Sequence, residues 1–174
     1  HQRGKQSGSA AELEKAEGYY HLSLDQDGDN ADCYRALAVL LIEQDRSDQA
    51  FTLMERWAMR SPKEAEPRVE LARLYEEFNE LDPAKEKLME ALKLEPNNPR
   101  ALAALGNLHE RQGDYAQALA DYKRSLYYNQ GQPEVAARVA SLQIAMPGAS
   151  QQTMASPPPL APTVGQSFST RSRY

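Results

Sequence analysis

Cysteine is almost missing from this chain: Cys33 stands alone, which excludes an internal disulfide and any multi-cysteine metal centre. Long apolar runs are missing as well, and none approaches the roughly 18 residues that a membrane-crossing helix needs. There is no P-loop, no GxGxxG, no HExxH and no GxSxG, so nothing indicates a cofactor, a metal or an enzyme. Basic charge is scarce where nucleic acid would need it. The net charge is −5, yet Arg3, Lys5, Arg171 and Arg173 are the only charged side chains outside residues 10–145. The region between them therefore carries −9, a poor match for a phosphate backbone. The chain opens on His1 rather than methionine, so its beginning is no guide to compartment.

What is present is amphipathic helix, most clearly from Pro99 to Gln132. Leu102, Leu105, Gly106 and His109 recur at steps of three, one and three, which places them on one helical face. Gly113-Asp114 interrupts the pattern, because glycine can end a helix in the left-handed conformation and aspartate can cap the next. Ala118, Tyr122, Ser125 and Leu126 mark the inner face of a second helix. Gly106 is expected to face the small Ala118 where the two helices cross.

The same stretch recurs without insertion at a period of thirty-four, as Ala65–Asn98 and Ala31–Glu64. The eighth place is always small (Ala38, Ala72, Gly106) and the twentieth is always alanine (Ala50, Ala84, Ala118). The fifteenth holds Asp45, Asn79 and Gly113, the residue types that best tolerate a left-handed helix end. This pattern resembles the tetratricopeptide repeat (TPR) family, whose unit is a helix–turn–helix of that period. The resemblance covers roughly Ala10 to Ala145. It implies an all-α fold, an α–α superhelix of antiparallel helix pairs.

Taken in order, residues 1–9 lack an apolar face and read as a disordered or frayed leader. A TPR domain over 10–146 then comprises a leading helix at 10–25, repeats at 31–64, 65–98 and 99–132, and a capping helix at 133–145. Pro62 and Pro96 close second helices; Pro67, Pro99 and Pro133 open first helices, and Pro83 sits in a first turn, all places where a missing N–H does no harm. The capping helix covers the apolar face that the last repeat would otherwise expose. Residues 147–174 are rich in proline and serine and hold no acidic residue, so they are expected to be disordered, with a PxxP pattern at Pro159–Pro162. Within the repeats, Tyr34, Leu37, Ala38 and Leu41 are core positions, as are Ala50, Met54 and Trp57. Trp57 stands where the family has a small residue, and it is expected to fill the space left opposite Pro67 and Arg68. His109 is expected to be a partly buried, hydrogen-bonded residue, and the Glu76-Glu77 pair a solvated one.

In the family, stacked first helices line a concave groove that holds peptides. The groove-facing places here carry Arg35, Val39, Ile42, Val69, Arg73, Arg100, Asn107 and Arg138, a mixture suited to a partner with apolar and acidic groups. One subclass of the family clamps the C-terminal carboxylate of chaperones, and Val39, Glu70 and Ala104 break that pattern. The resemblance implies a non-enzymatic scaffold or adaptor with a protein or peptide partner, and no nucleic acid. The second expectation is a self-assembling module that forms homo-oligomers through its incomplete N-terminal repeat, or the TPR part of a larger assembly or secretion protein.

Overall fold

The computed structural model describes residues 2–146, with side chains from residue 11 onward. Eight α-helices and no strand occur among them: α1 (Gln2–Gln26), α2 (Ala31–Glu43), α3 (Ser47–Arg60), α4 (Glu66–Glu77), α5 (Leu81–Leu94), α6 (Pro99–Arg111), α7 (Tyr115–Tyr128) and α8 (Pro133–Ala145). The Pro/Ser-rich segment 147–174, with its PxxP pattern, lies outside the described residues.

The turns follow from their residue types. Asp45, Asn79 and Gly113 have φ of 59°, 61° and 81°, so the fifteenth place of each repeat takes the left-handed conformation. Helix starts are capped where a short polar side chain is available. Asn30 accepts from the Cys33 N–H, Asn98 from those of Arg100 and Ala101, and Asp114 from that of Gln117. Pro67, Pro99 and Pro133 stand at helix starts, and Pro62 and Pro96 follow helix ends.

Each first helix packs on the second helix that follows it, α2 on α3, α4 on α5 and α6 on α7, and each pair stacks on the next. Ala50, Ala84 and Ala118 are fully buried at 0% exposure, the small residues on which the paired helices close. The first helices α2, α4 and α6 touch one another and form one wall of an α–α solenoid. α8 lies against α7, where Leu142, Val135 and Val139 meet Ala118, Leu119 and Tyr122.

The structure adds detail at the leading helix, at the Gly106 crossing and around Trp57. The helix that opens the chain, α1, is drawn from Gln2, so it takes in residues 2–9. No proline interrupts 2–26, and once a helix is nucleated each added residue gains a hydrogen bond at little cost. Gly106 lies against Tyr122 of the second helix: a Cβ there would lie 2.7 Å from the ring Cδ1. Trp57 is buried as expected, at 1% exposure; it shares a core cluster with Leu71 and Leu74 of α4 and stacks on Tyr34 of its own repeat at 4.5 Å with the rings 7° apart. Arg68 is held elsewhere, donating to the Glu64 carbonyl at 2.9 Å and lying 3.5 Å from Glu90.

Candidate functional site

The wall formed by the first helices divides into a closed half and an open half. The closed half is an ionic network across three repeats. Glu66 on α4 bonds both Arg35 of α2 and Arg100 of α6. Glu70, one turn on and only 7% exposed, bonds Arg100 and has the Arg35 Nε 3.0 Å away. Asp32 completes it from solvent, 2.7 Å from Arg35. Two carboxylates thus neutralise the two guanidiniums that the sequence marked as peptide anchors.

The open half is a hollow of ≈ 230 Å³ between α4, α6, α7 and α8. Ala103, Ala104 and Val135 give it apolar lining, Tyr122 adds an aromatic side, Arg73, Asn107 and Arg138 supply hydrogen-bond donors, and Glu76 and Glu134 supply carboxylates. The two arginines are loosely held. Arg73, with 46% of its side chain exposed, is 3.7 Å from Glu70, and Arg138, with 57% exposed, is 3.5 Å from Glu110. At such separations an exposed pair is worth a few tenths of a kcal/mol to about 1, so an incoming carboxylate can displace it. Glu76, in contrast with its sequence reading, is buried there, because α6 covers it. Its Oε2 accepts from the Asn107 side-chain amide at 3.1 Å, while Oε1 has no partner. Burial pushes the Glu76 carboxyl above the usual carboxylate range, against the opposing pull of Arg111 and Asn107. Burial and the bond donated to Glu110 (3.0 Å) push the Tyr122 hydroxyl up as well.

Of the eight residues named from sequence, Arg73, Asn107 and Arg138 meet around this hollow. Arg35 and Arg100 belong to the closed network. Val39 is exposed and Ile42 half-buried against the first repeat's core, both on α2. Val69 has to be withdrawn as a contact residue: it is 0% exposed, enclosed with Ala72, Leu88 and Ala101. Sequence reasoning missed Glu66 altogether, and for Glu70 and Glu76, which it placed on this wall, it missed their partners on the adjacent first helix. Their signal is a spacing of 30 or 31 to a polar partner on the adjacent first helix: Arg35–Glu66, Glu70–Arg100 and Glu76–Asn107.

His109 is partly buried and bonded as expected, with Nδ1 2.8 Å from Asp121 Oδ2. Burial raises the Asp121 carboxyl, opposed by His109. The pair ties α6 to α7 away from the hollow. His21 is exposed, 3.8 Å from Glu17 one turn earlier, and the Cys33 thiol donates to Ser23 Oγ at 3.1 Å between α1 and α2. No described helix is long and apolar enough to cross a membrane.

Antiparallel helix pairs, stacked at a fixed period with a continuous wall of first helices, define an α-solenoid of the protein-binding kind. Tetratricopeptide repeat models match residues 41–108 and 101–134, together more than half of the chain. The chain belongs to the tetratricopeptide repeat family. None of the curated proteins matches it. Among solved structures it is similar to MamA, at 16% identity over 82% of this chain and 83% of that one, with a TM-score of 0.59. It is similar to PilF of Pseudomonas aeruginosa, at 25% identity over 83% of this chain and 66% of that one (TM-score 0.64). A third similar structure is a thermophilic TPR protein of Thermus thermophilus, at 22% identity over 80% of this chain and 77% of that one (TM-score 0.63).

Proposed function

We propose that this chain is a non-enzymatic scaffold that holds a segment of a partner protein against the wall of first helices, with the hollow beside α8 as the anchoring point. The observation that carries this reading is the pair of loosely held cations, Arg73 and Arg138, lining one hollow with Ala103, Ala104 and Val135. Such a surface suits an acidic side chain next to a small apolar one. Asn107 adds a polar contact while it supports Glu76. Arg35 and Arg100 stiffen the wall rather than touch the partner, and Val39 and Ile42 extend the contact surface along α2. TPR proteins are generally binding scaffolds, which supports the class of activity.

The test is a binding isotherm with a captured partner. Arg73→Ala combined with Arg138→Ala is expected to weaken binding at least about tenfold while the melting temperature moves by about a degree or less, as exposed substitutions usually do. Binding that survives the double change places the interaction elsewhere, on the convex face or on residues 147–174.

A further inference from the structure

The hollow beside α8 contains a carboxyl group that an incoming acid has to work against. Glu76 lines the space with Arg73, Arg138 and Glu134, yet it is only 8% exposed. Every neighbouring element brings a charged or polar group towards it. Arg73 comes from α4 itself, 3.7 Å from Glu70. From α6 come the Asn107 amide, bonded to Oε2 at 3.1 Å, and Arg111, which donates to the Glu76 backbone carbonyl at 2.9 Å. α7 contributes Tyr122, whose hydroxyl donates to Glu110, and α8 contributes Glu134 and Arg138. None of these bonds Oε1, which is buried without a partner.

We propose, resting on the acid-binding role given above to this hollow, that a partner's carboxylate enters it together with a proton taken up from water by Glu76. The anchor is then tight while Glu76 is neutral and weaker once it is ionised. Two cations and two carboxylates line the hollow, so a third carboxylate leaves one negative charge in excess. Glu134 is exposed and screened by water, whereas Glu76 is buried. Like charges that share a site away from water drive the protonation of one of them. Glu76 is the one to change, since burial already holds its carboxyl above the usual carboxylate range. The proton also has a place to go. Oε2 is held by Asn107 but Oε1 accepts nothing, so a proton there breaks no hydrogen bond and removes a buried charge that lacked a donor. An anion beside Glu76 raises its titration midpoint, and by linkage the neutral form binds the anion more tightly by the same factor. Affinity is therefore highest at low pH. It falls as pH rises from the midpoint of the free chain to that of the complex, by at most about tenfold per pH unit for one proton, and levels off above.

The probe is a capped alanine peptide with one central glutamate, whose own carboxyl, with a pKa of about 4.3, stays ionised above about pH 5.5. Its glutamine counterpart is the control. The full chain, carbon-13-labelled at its glutamate carboxyls, is titrated with each peptide by nuclear magnetic resonance between about pH 5.5 and about pH 8. The Glu76 signal, identified by its loss in Glu76→Gln, should titrate at least about half a unit higher with the glutamate peptide bound, and affinity should fall across that interval by the matching factor, about threefold per half unit. The glutamine peptide should leave the midpoint in place. Glu76→Gln, neutral at every pH, should keep the low-pH affinity throughout, and Glu134→Gln should keep the pH dependence. Binding that needs Arg73 and Arg138 but is flat with pH, with the Glu76 midpoint unmoved, overturns the proton uptake and leaves the acid-binding role standing. A pH dependence that persists in Glu76→Gln overturns it too, because another group then takes the proton. A glutamate peptide that binds no better than its glutamine counterpart, or equally well after Arg73→Ala with Arg138→Ala, removes the acid-binding role and the proton uptake with it.

Discussion

Gly106 and Tyr122 meet where a Cβ on the glycine would lie 2.7 Å from the ring. The equivalent pairs of the earlier repeats are Ala38 with Met54 and Ala72 with Leu88, each buried in a common cluster. A bare Cα therefore goes with the aromatic ring and a methyl with the aliphatic side chain, which is volume matching at the scale of one carbon. Gly106→Ala is expected to destabilise by roughly 1–3 kcal/mol. Adding Tyr122→Leu, which recreates the second repeat's pair, should recover part of that loss. The double-mutant cycle in denaturant reads the coupling, and two costs that simply add would show that the residues do not touch. Glu76 makes a second prediction. Its carboxyl titrates higher in the folded chain than in the unfolded one, because burial disfavours the charge. Folding then takes up protons, so stability falls as pH rises from the ordinary carboxylate range through the raised value. Glu76→Gln keeps an oxygen for Asn107 and removes the charge. It should raise the melting temperature at neutral pH, with a gain that fades below about pH 4, near the ordinary value. A constant difference across that range would show that burial is not what opposes the charge.

At the scale of the helix, the pattern of small and turn-forming residues was enough to place the paired elements. The thirty-four-residue period put Asp45, Asn79 and Gly113 at equivalent turns, and all three have positive φ. Helix ends were legible because proline, glycine and the capping residues act locally, within a turn of where they stand. The parts not legible are those decided between helices. Val69 looked like a groove residue because it was placed on the face away from its own second helix, yet it is wholly buried in a cluster that joins α5 of its own repeat to α6 of the next. Glu76 looked solvated on a helix rich in acid, and it is α6 that buries it, through Asn107. Trp57 was read against the next repeat, whose Leu71 and Leu74 share its cluster, and the stack on Tyr34 in its own repeat was not foreseen. The leading helix was drawn too short for a different reason: a polar segment has no apolar stripe to betray it, and α1 extends through one. Arg73, Asn107 and Arg138, three of the groove residues expected from sequence, line one hollow together with Tyr122.

In the whole molecule, stability is distributed along a line, because each repeat touches only its neighbours and the coupling between them decides whether they melt together. Apolar contact provides much of that coupling, as Leu71 and Leu74 of α4 join the first repeat's core. The Arg35–Glu66–Arg100–Glu70 network adds a polar link that spans α2, α4 and α6 at once. Glu70 is its centre: almost wholly buried, with three arginines around it, counting Arg73 at 3.7 Å. Removing one member of a fully buried ion pair costs about 3–5 kcal/mol. Arg35 and Arg100 still keep 31% and 34% of their side chains exposed, so solvent screens what they lose and the expected cost of Glu70→Ala is lower, about 1–3 kcal/mol. More telling than the size is the shape of the transition. Without Glu70, Arg35 and Arg100 lose one of their two shared carboxylates, and the repeats on either side of α4 are tied by packing and Glu66 alone. Thermal unfolding followed by far-ultraviolet circular dichroism should broaden. Amide exchange should then separate, with α2 and α3 opening before α6 and α7, because the α6–α7 pair is still held by Asp121–His109 and Tyr122–Glu110. A variant that melts as sharply as its parent, at the same temperature, would mean that the network decorates the wall and that apolar packing alone couples the repeats.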